Sequence, residues 1–171
     1  MKGLGAFLVG TLVVLLLRST ALTPFAARGI VVDVLAFSTV FWGLRYGAVW
    51  GATFGFFVGL AADLDATHWM GRHALVLSII GYAVGRLART LVRDSGRAQL
   101  VLIGLAVAVH QAWVVPFELG GLEGLGNGWP YLLRRVAVGA LATGPIGALV
   151  LIVARRLSGR SVFGHELAHP G

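Results

Sequence analysis

The residues His165-Glu166-Leu167-Ala168-His169 reproduce the H-E-x-x-H pattern, in which two histidines one helical turn apart hold zinc and the glutamate activates water. That chemistry needs both rings on one face of a stable helix, a third ligand and a shielded cleft. Gly164 precedes the pattern and Pro170-Gly171 follow it, so the expectation is a chance match in a solvated tail. Asp63, Asp65, His68 and His73 fall within eleven residues and combine carboxylates with imidazoles, a donor set suited to a divalent metal. The same residues also make a polar turn whose acids cap the next helix, and this is the expected role. No metal or other cofactor is expected.

Asp33 stands in an apolar run, Ile30-Val-Val-Asp33-Val-Leu-Ala. A carboxylate inside a membrane span is costly unless it is paired or protonated. Its candidate partners are Arg28 and Arg18; the other reading is a helix-start acid near an interface. His110, beside Gln111, is either an interhelical hydrogen-bonding residue or a ligand contact. Arg86, Arg89, Arg93 and Arg97 recur at offsets of three, four and four. On one helix they would form a single stripe, roughly 16 Å long at ~1.5 Å per residue. Such a stripe anchors to anionic lipid or docks an acidic cytoplasmic partner.

Gly43, Gly47, Gly51, Gly55 and Gly59 follow one another at four-residue steps. In a water-soluble helix each would cost about 1 kcal/mol relative to alanine. In a bilayer the same spacing makes a flat strip on which a second helix packs backbone to backbone. That second helix belongs either to a partner or to the chain itself. The run from Gly120, Gly-Gly-Leu-Glu-Gly-Leu-Gly-Asn-Gly, lacks the lysine and hydroxyl residue of a phosphate cradle. No catalytic serine–histidine pairing stands out, and a non-enzymatic role is expected.

The elements that must position these residues follow from composition. Of 171 residues, 57% are hydrophobic and 12% charged, and mean hydropathy is +0.85. A soluble domain would carry about a quarter charged residues, so the chain reads as an all-α integral membrane protein. It has a single transmembrane domain over residues 1–157 and a short cytoplasmic tail over 158–171. Cysteine is absent, which excludes disulfides and thiolate chemistry. The formal charge of +7 does not imply nucleic acid, because the basic residues sit at helix ends.

About six spans fit, near residues 4–22, 30–44, 46–62, 73–92, 98–117 and 136–154. The first is read as an uncleaved span rather than a signal peptide. The second and third fall short of the ~20 residues that cross a bilayer; the alternative is one helical hairpin hinged at Arg45. Residues 117–130 read as a glycine-rich loop. Nine basic residues against five place both termini in the cytoplasm.

The stretch Gly55-Phe-Phe-Val-Gly59-Leu-Ala-Ala-Asp63-Leu, followed by Met70-Gly71-Arg-His-Ala-Leu and Ile80-Gly-Tyr82, resembles the MreD family of bacterial rod-shape-determining proteins. Asp33, upstream of Phe41-Trp42, lies where the family usually has Asp or Asn after a proline; here Val32 replaces that proline. The resemblance is strongest over residues 28–92. It implies a non-enzymatic scaffold of the bacterial inner membrane that binds the bitopic protein MreC. Through MreC it would be linked to MreB filaments, to RodA and to its transpeptidase in peptidoglycan synthesis. It also implies a fold similar to the substrate-binding subunits of energy-coupling-factor transporters. The alternative role is a small-molecule-binding membrane subunit of such a transporter. Homo-oligomerisation is a further expectation.

Overall fold

The computed structural model describes residues 2–18, 32–64, 69–88 and 96–158. Among them are six helices and no strands: α1 (Lys2–Leu16), α2 (Val34–Tyr46), α3 (Ala48–Asp63), α4 (Arg72–Leu87), α5 (Gly96–Glu118) and α6 (Leu122–Ser158). Two of them contain stretches long and apolar enough to cross a membrane, Arg97–Glu118 in α5 and Gly126–Val153 in α6. The outward faces carry Val49, Trp50, Phe56, Phe57, Ile79, Leu105, Leu141 and Leu149 exposed. A surface this apolar suits contact with lipid.

The glycine column spans two helices. Gly43 lies in α2, Gly51, Gly55 and Gly59 lie in α3, and Gly47 is the one-residue joint between them, at φ +88°. That left-handed backbone conformation is open to glycine at no steric penalty, so the hinge falls at Gly47 rather than at Arg45. The two helices fold back on each other: a Cβ on Gly51 would stand 2.7 Å from the Gly43 Cα, and one on Gly55 3.0 Å from the Thr39 side chain.

α4 lies in the notch of this hairpin. A Cβ on Gly43 would meet the Gly81 carbonyl oxygen at 2.9 Å, one on Gly51 would meet the same oxygen at 2.5 Å, and one on Gly59 would meet the Ala74 backbone at 2.5 Å. From the α4 side, Gly81 and Gly85 present their bare faces to Gly51 and Ala48. The strip is therefore covered by the chain's own helix. The Gly81-x-x-x-Gly85 counterpart in α4 is the half that sequence reading overlooked, although it has the same four-residue spacing.

α1 is held to the hairpin by aromatic packing. The Trp42 and Phe54 rings stack at 4.5 Å and 8°, and Phe7 meets them edge-on at 6.0 and 5.5 Å. α5 packs chiefly on α6 and also touches α2 and α4.

Two other expectations are corrected. The expected loop over residues 117–130 is mostly helix: the turn is confined to Leu119–Gly121, where Gly120 and Gly121 take φ +87° and +92°, and α6 starts at Leu122. Pro130 and Pro145 both lie inside α6. Glycine and proline are tolerated in membrane helices, where neighbouring groups satisfy the freed backbone, so their presence did not mark a loop here. The arginine stripe does not lie on one helix. Arg86 ends α4 and Arg97 begins α5, while Arg89 and Arg93 lie outside the described residues.

Candidate functional site: a polar cluster at one end of the bundle

Antiparallel neighbours bring the C-terminal ends of α1, α3 and α5 and the N-terminal ends of α2, α4 and α6 to one end of the bundle. A group of buried polar side chains collects there, while Gln99 is buried at the opposite end, near the start of α5. Asp33, His73, His110, Gln111 and Thr143 are each no more than 6% exposed, and they come from the starts of α2 and α4, the later part of α5 and the middle of α6.

Asp33 is the hub of this cluster. It is the N-cap of α2 and accepts from the Ala36 backbone N–H through Oδ1 at 3.0 Å. Its Oδ2 faces His110 Nδ1 at 2.5 Å and accepts from Gln111 Nε2 at 2.8 Å. Its backbone N–H donates to Thr143 Oγ1 at 2.9 Å. One residue thus joins α2, α5 and α6. These are its partners among the described residues; of the expected arginines, Arg28 lies outside them and Arg18 donates to the Ala62 carbonyl at 3.3 Å.

His110 carries the chain onward, with Nε2 3.0 Å from His73 Nδ1 in α4. An N–H on His110 Nδ1 donates to the Asp33 carboxylate. His110 Nε2 then accepts from a protonated His73 Nδ1, or donates to a bare one when His110 is imidazolium. The series Asp33–His110–His73 can therefore relay a proton within the protein. Its nitrogens are bonded to one another in sequence and do not converge on a metal.

Asp63 stands apart from this relay. Its two oxygens accept from the backbone N–H groups of His73 and Ala74, at 3.2 and 3.1 Å. It caps α4 from the end of α3, because the actual N-cap residue, Gly71 at φ +95°, offers no side chain. Asp65 and His68 lie outside the described residues, as does the His165–His169 pattern. Asp63→Ala should leave two buried donors unsatisfied and cost about 2 kcal/mol; Asp63→Asn, which keeps one acceptor, should recover about half. Thermal unfolding in detergent measures both.

A cavity of about 160 Å³ opens beside the hub. Asp33, His73, His110, Gln111 and Val114 form its buried floor, and the less buried Arg18, Arg72, Glu118 and Arg135 stand around them. Arg135 is committed to Glu118, with Nη1 2.5 Å from Oε2, and it also donates to Gln111 Oε1 at 3.1 Å. Sequence reading used Arg72 and Arg135 only in the charge count and did not single out Thr143, since an isolated arginine or threonine carries no spacing signal. No side-chain hydroxyl or thiol lines the cavity among the described residues.

The family model for rod shape-determining protein MreD matches residues 1–119, well over half of the 171 residues. The chain belongs to the MreD family. That membership makes it a membrane protein of rod-shape determination, within a family of structural rather than known catalytic proteins. The match covers α1 through α5, including Asp33, His73 and His110, and stops as the chain turns into α6. Comparison with curated proteins and with solved structures gives no match.

Proposed function

We propose that this chain is a multi-pass scaffold of the cell-wall elongation machinery in the bacterial inner membrane. It binds a bitopic, MreC-like protein and through it helps couple MreB filaments to RodA and its transpeptidase. The single observation that carries this reading is the family match over α1 to α5. The geometry supports it in two ways: helices α2 to α4 are locked backbone to backbone, and one connected polar network fixes α2, α4, α5 and α6 at one end. A rigid body of this kind presents a constant surface to a partner.

With the amino terminus cytoplasmic, as the arginine bias indicates, Asp33, His73 and the cavity lie toward the outer face. Arg86 and Arg97 lie toward the cytoplasm. The alternative transporter subunit is disfavoured by size, because a cavity of about 160 Å³ falls below the ~300 Å³ at which drug-sized ligand pockets begin. The test is purification of the tagged chain in mild detergent, followed by identification of what it retains. A single-span protein with an outer domain is the expected companion. A tightly held vitamin-sized molecule in its place would overturn the scaffold reading.

A further inference from the structure

We propose that the Asp33–His110–His73 series is an acid-sensitive latch: a second positive charge on its imidazoles breaks the tie between α4 and α5 and loosens this end of the bundle. This goes beyond the scaffold role and does not depend on it. The latch follows from counting hydrogens. His110 Nε2 and His73 Nδ1 stand 3.0 Å apart, and such a link holds one hydrogen, supplied by either ring. The other link, from His110 Nδ1 to Asp33 Oδ2, uses the second nitrogen of His110. With one imidazolium present, on either ring, both links survive and the Asp33 carboxylate is balanced. With two, an N–H would face an N–H across the same gap, and the link between the rings is lost. Imidazole is the side chain whose ordinary charge change falls between about pH 5 and 8.

The surroundings resist the second charge and give protons a route to it. Among the described residues, Arg18 follows α1, Arg72 adjoins His73 in α4 and Arg135 belongs to α6, and all three line the cavity that the two rings line. The acids on the other side of the balance have bonds of their own. Asp33 of α2 accepts from Ala36, His110 and Gln111, and Glu118 of α5 is paired with Arg135. Asp63 of α3 holds the backbone N–H groups of His73 and Ala74. Both rings are buried, yet the cavity of about 160 Å³ beside them is polar and has room for water. Beside the ring link, the exposed Trp113 Nε1 donates to the Arg72 carbonyl at 3.1 Å, a second bond between α5 and α4 that opening would strain.

The test uses the full chain in detergent. The protein has no cysteine, so Leu75→Cys in α4 and Val109→Cys in α5, both exposed positions, accept a pair of spin labels. The label-to-label distance and the thermal midpoint are followed from about pH 7.5 down to about pH 5. The unfolded chain takes up the extra proton as pH falls through about 6.5. The folded chain does so only by losing the link, so stability is intact above that value and falls below it. In acid, the wild-type label distance should lengthen or broaden, and its midpoint should fall about 5 °C further than that of His73→Gln. Glutamine keeps a hydrogen-bonding group and gains no charge, so His73→Gln should hold the distance constant. Circular dichroism checks the fold of each variant first. His110→Gln, which removes the pair from the other side, carries the test if His73→Gln does not fold. Asp63→Asn should keep the wild-type response; its loss there would assign the response to the Asp63 cap and overturn the latch. A wild-type distance and midpoint that do not change with pH, or the same change in a folded histidine variant, also overturn it.

Discussion

A single methyl group at Gly81 is expected to force α4 away from the hairpin and to lower the stability of the whole bundle. The Gly81 face lies against the Gly51 carbonyl, and the atoms in the way are backbone, which cannot swing aside as a side chain would. Overpacking at such a site costs about 3 kcal/mol, or roughly a 10 °C fall in thermal midpoint for a chain of this size. Gly81→Ala should show that fall. Gly104→Ala, whose added carbon would have nothing closer than 3.9 Å, should be neutral or slightly stabilising through its better helix propensity. Gly51→Ala should resemble Gly81→Ala, because the two positions face the same contact from opposite sides. Equal midpoints for Gly81→Ala and Gly104→Ala would mean that α3 and α4 do not touch through backbone.

Asp33→Ala should be at least as damaging, by a different route. The substitution removes a helix cap and leaves Gln111 Nε2 and His110 Nδ1 without their acceptor inside a nearly dry cluster. Leaving two buried donors without their acceptor costs about 1–3 kcal/mol each, and the lost cap adds about 1 kcal/mol. Asp33→Asn keeps the shape and one acceptor oxygen, so its loss should be about half as large. Thr143→Val, which affects only the Asp33 backbone donor, should cost about 1 kcal/mol. Thermal unfolding of the purified variants orders them. An Asp33→Ala protein as stable as Thr143→Val would remove Asp33 from the centre of the network.

These two expectations concern features that were unequally legible in the sequence. The close-packed strip was readable because glycine spacing is a local, periodic signal and bilayer packing is its usual meaning. Its covering helix was less so, since Gly81 and Gly85 lie some thirty residues downstream and nothing local pairs them with Gly51. Asp33 stood out as a carboxylate in an apolar run, and His110 as a polar residue in a span. Their partnership across 77 positions of chain has no local signature. The mistaken loop over residues 117–130 came from applying soluble-protein rules for glycine and proline to a chain whose helices follow membrane rules. The arginine series failed as a single stripe because its spacing suits a helix while α4 ends at Leu87, inside the series. Spacing alone did not weigh the interruption.

The central claim is that these devices build a stiff membrane platform for another protein. The most direct measurement is mild-detergent purification of the tagged wild-type chain beside its Gly81→Ala variant, with the retained proteins identified and quantified. The account predicts that wild type keeps a bitopic partner in fixed ratio and that the loosened Gly81→Ala bundle keeps markedly less. A wild-type chain that purifies with no protein companion, from membranes where the candidate partner is abundant, would contradict it.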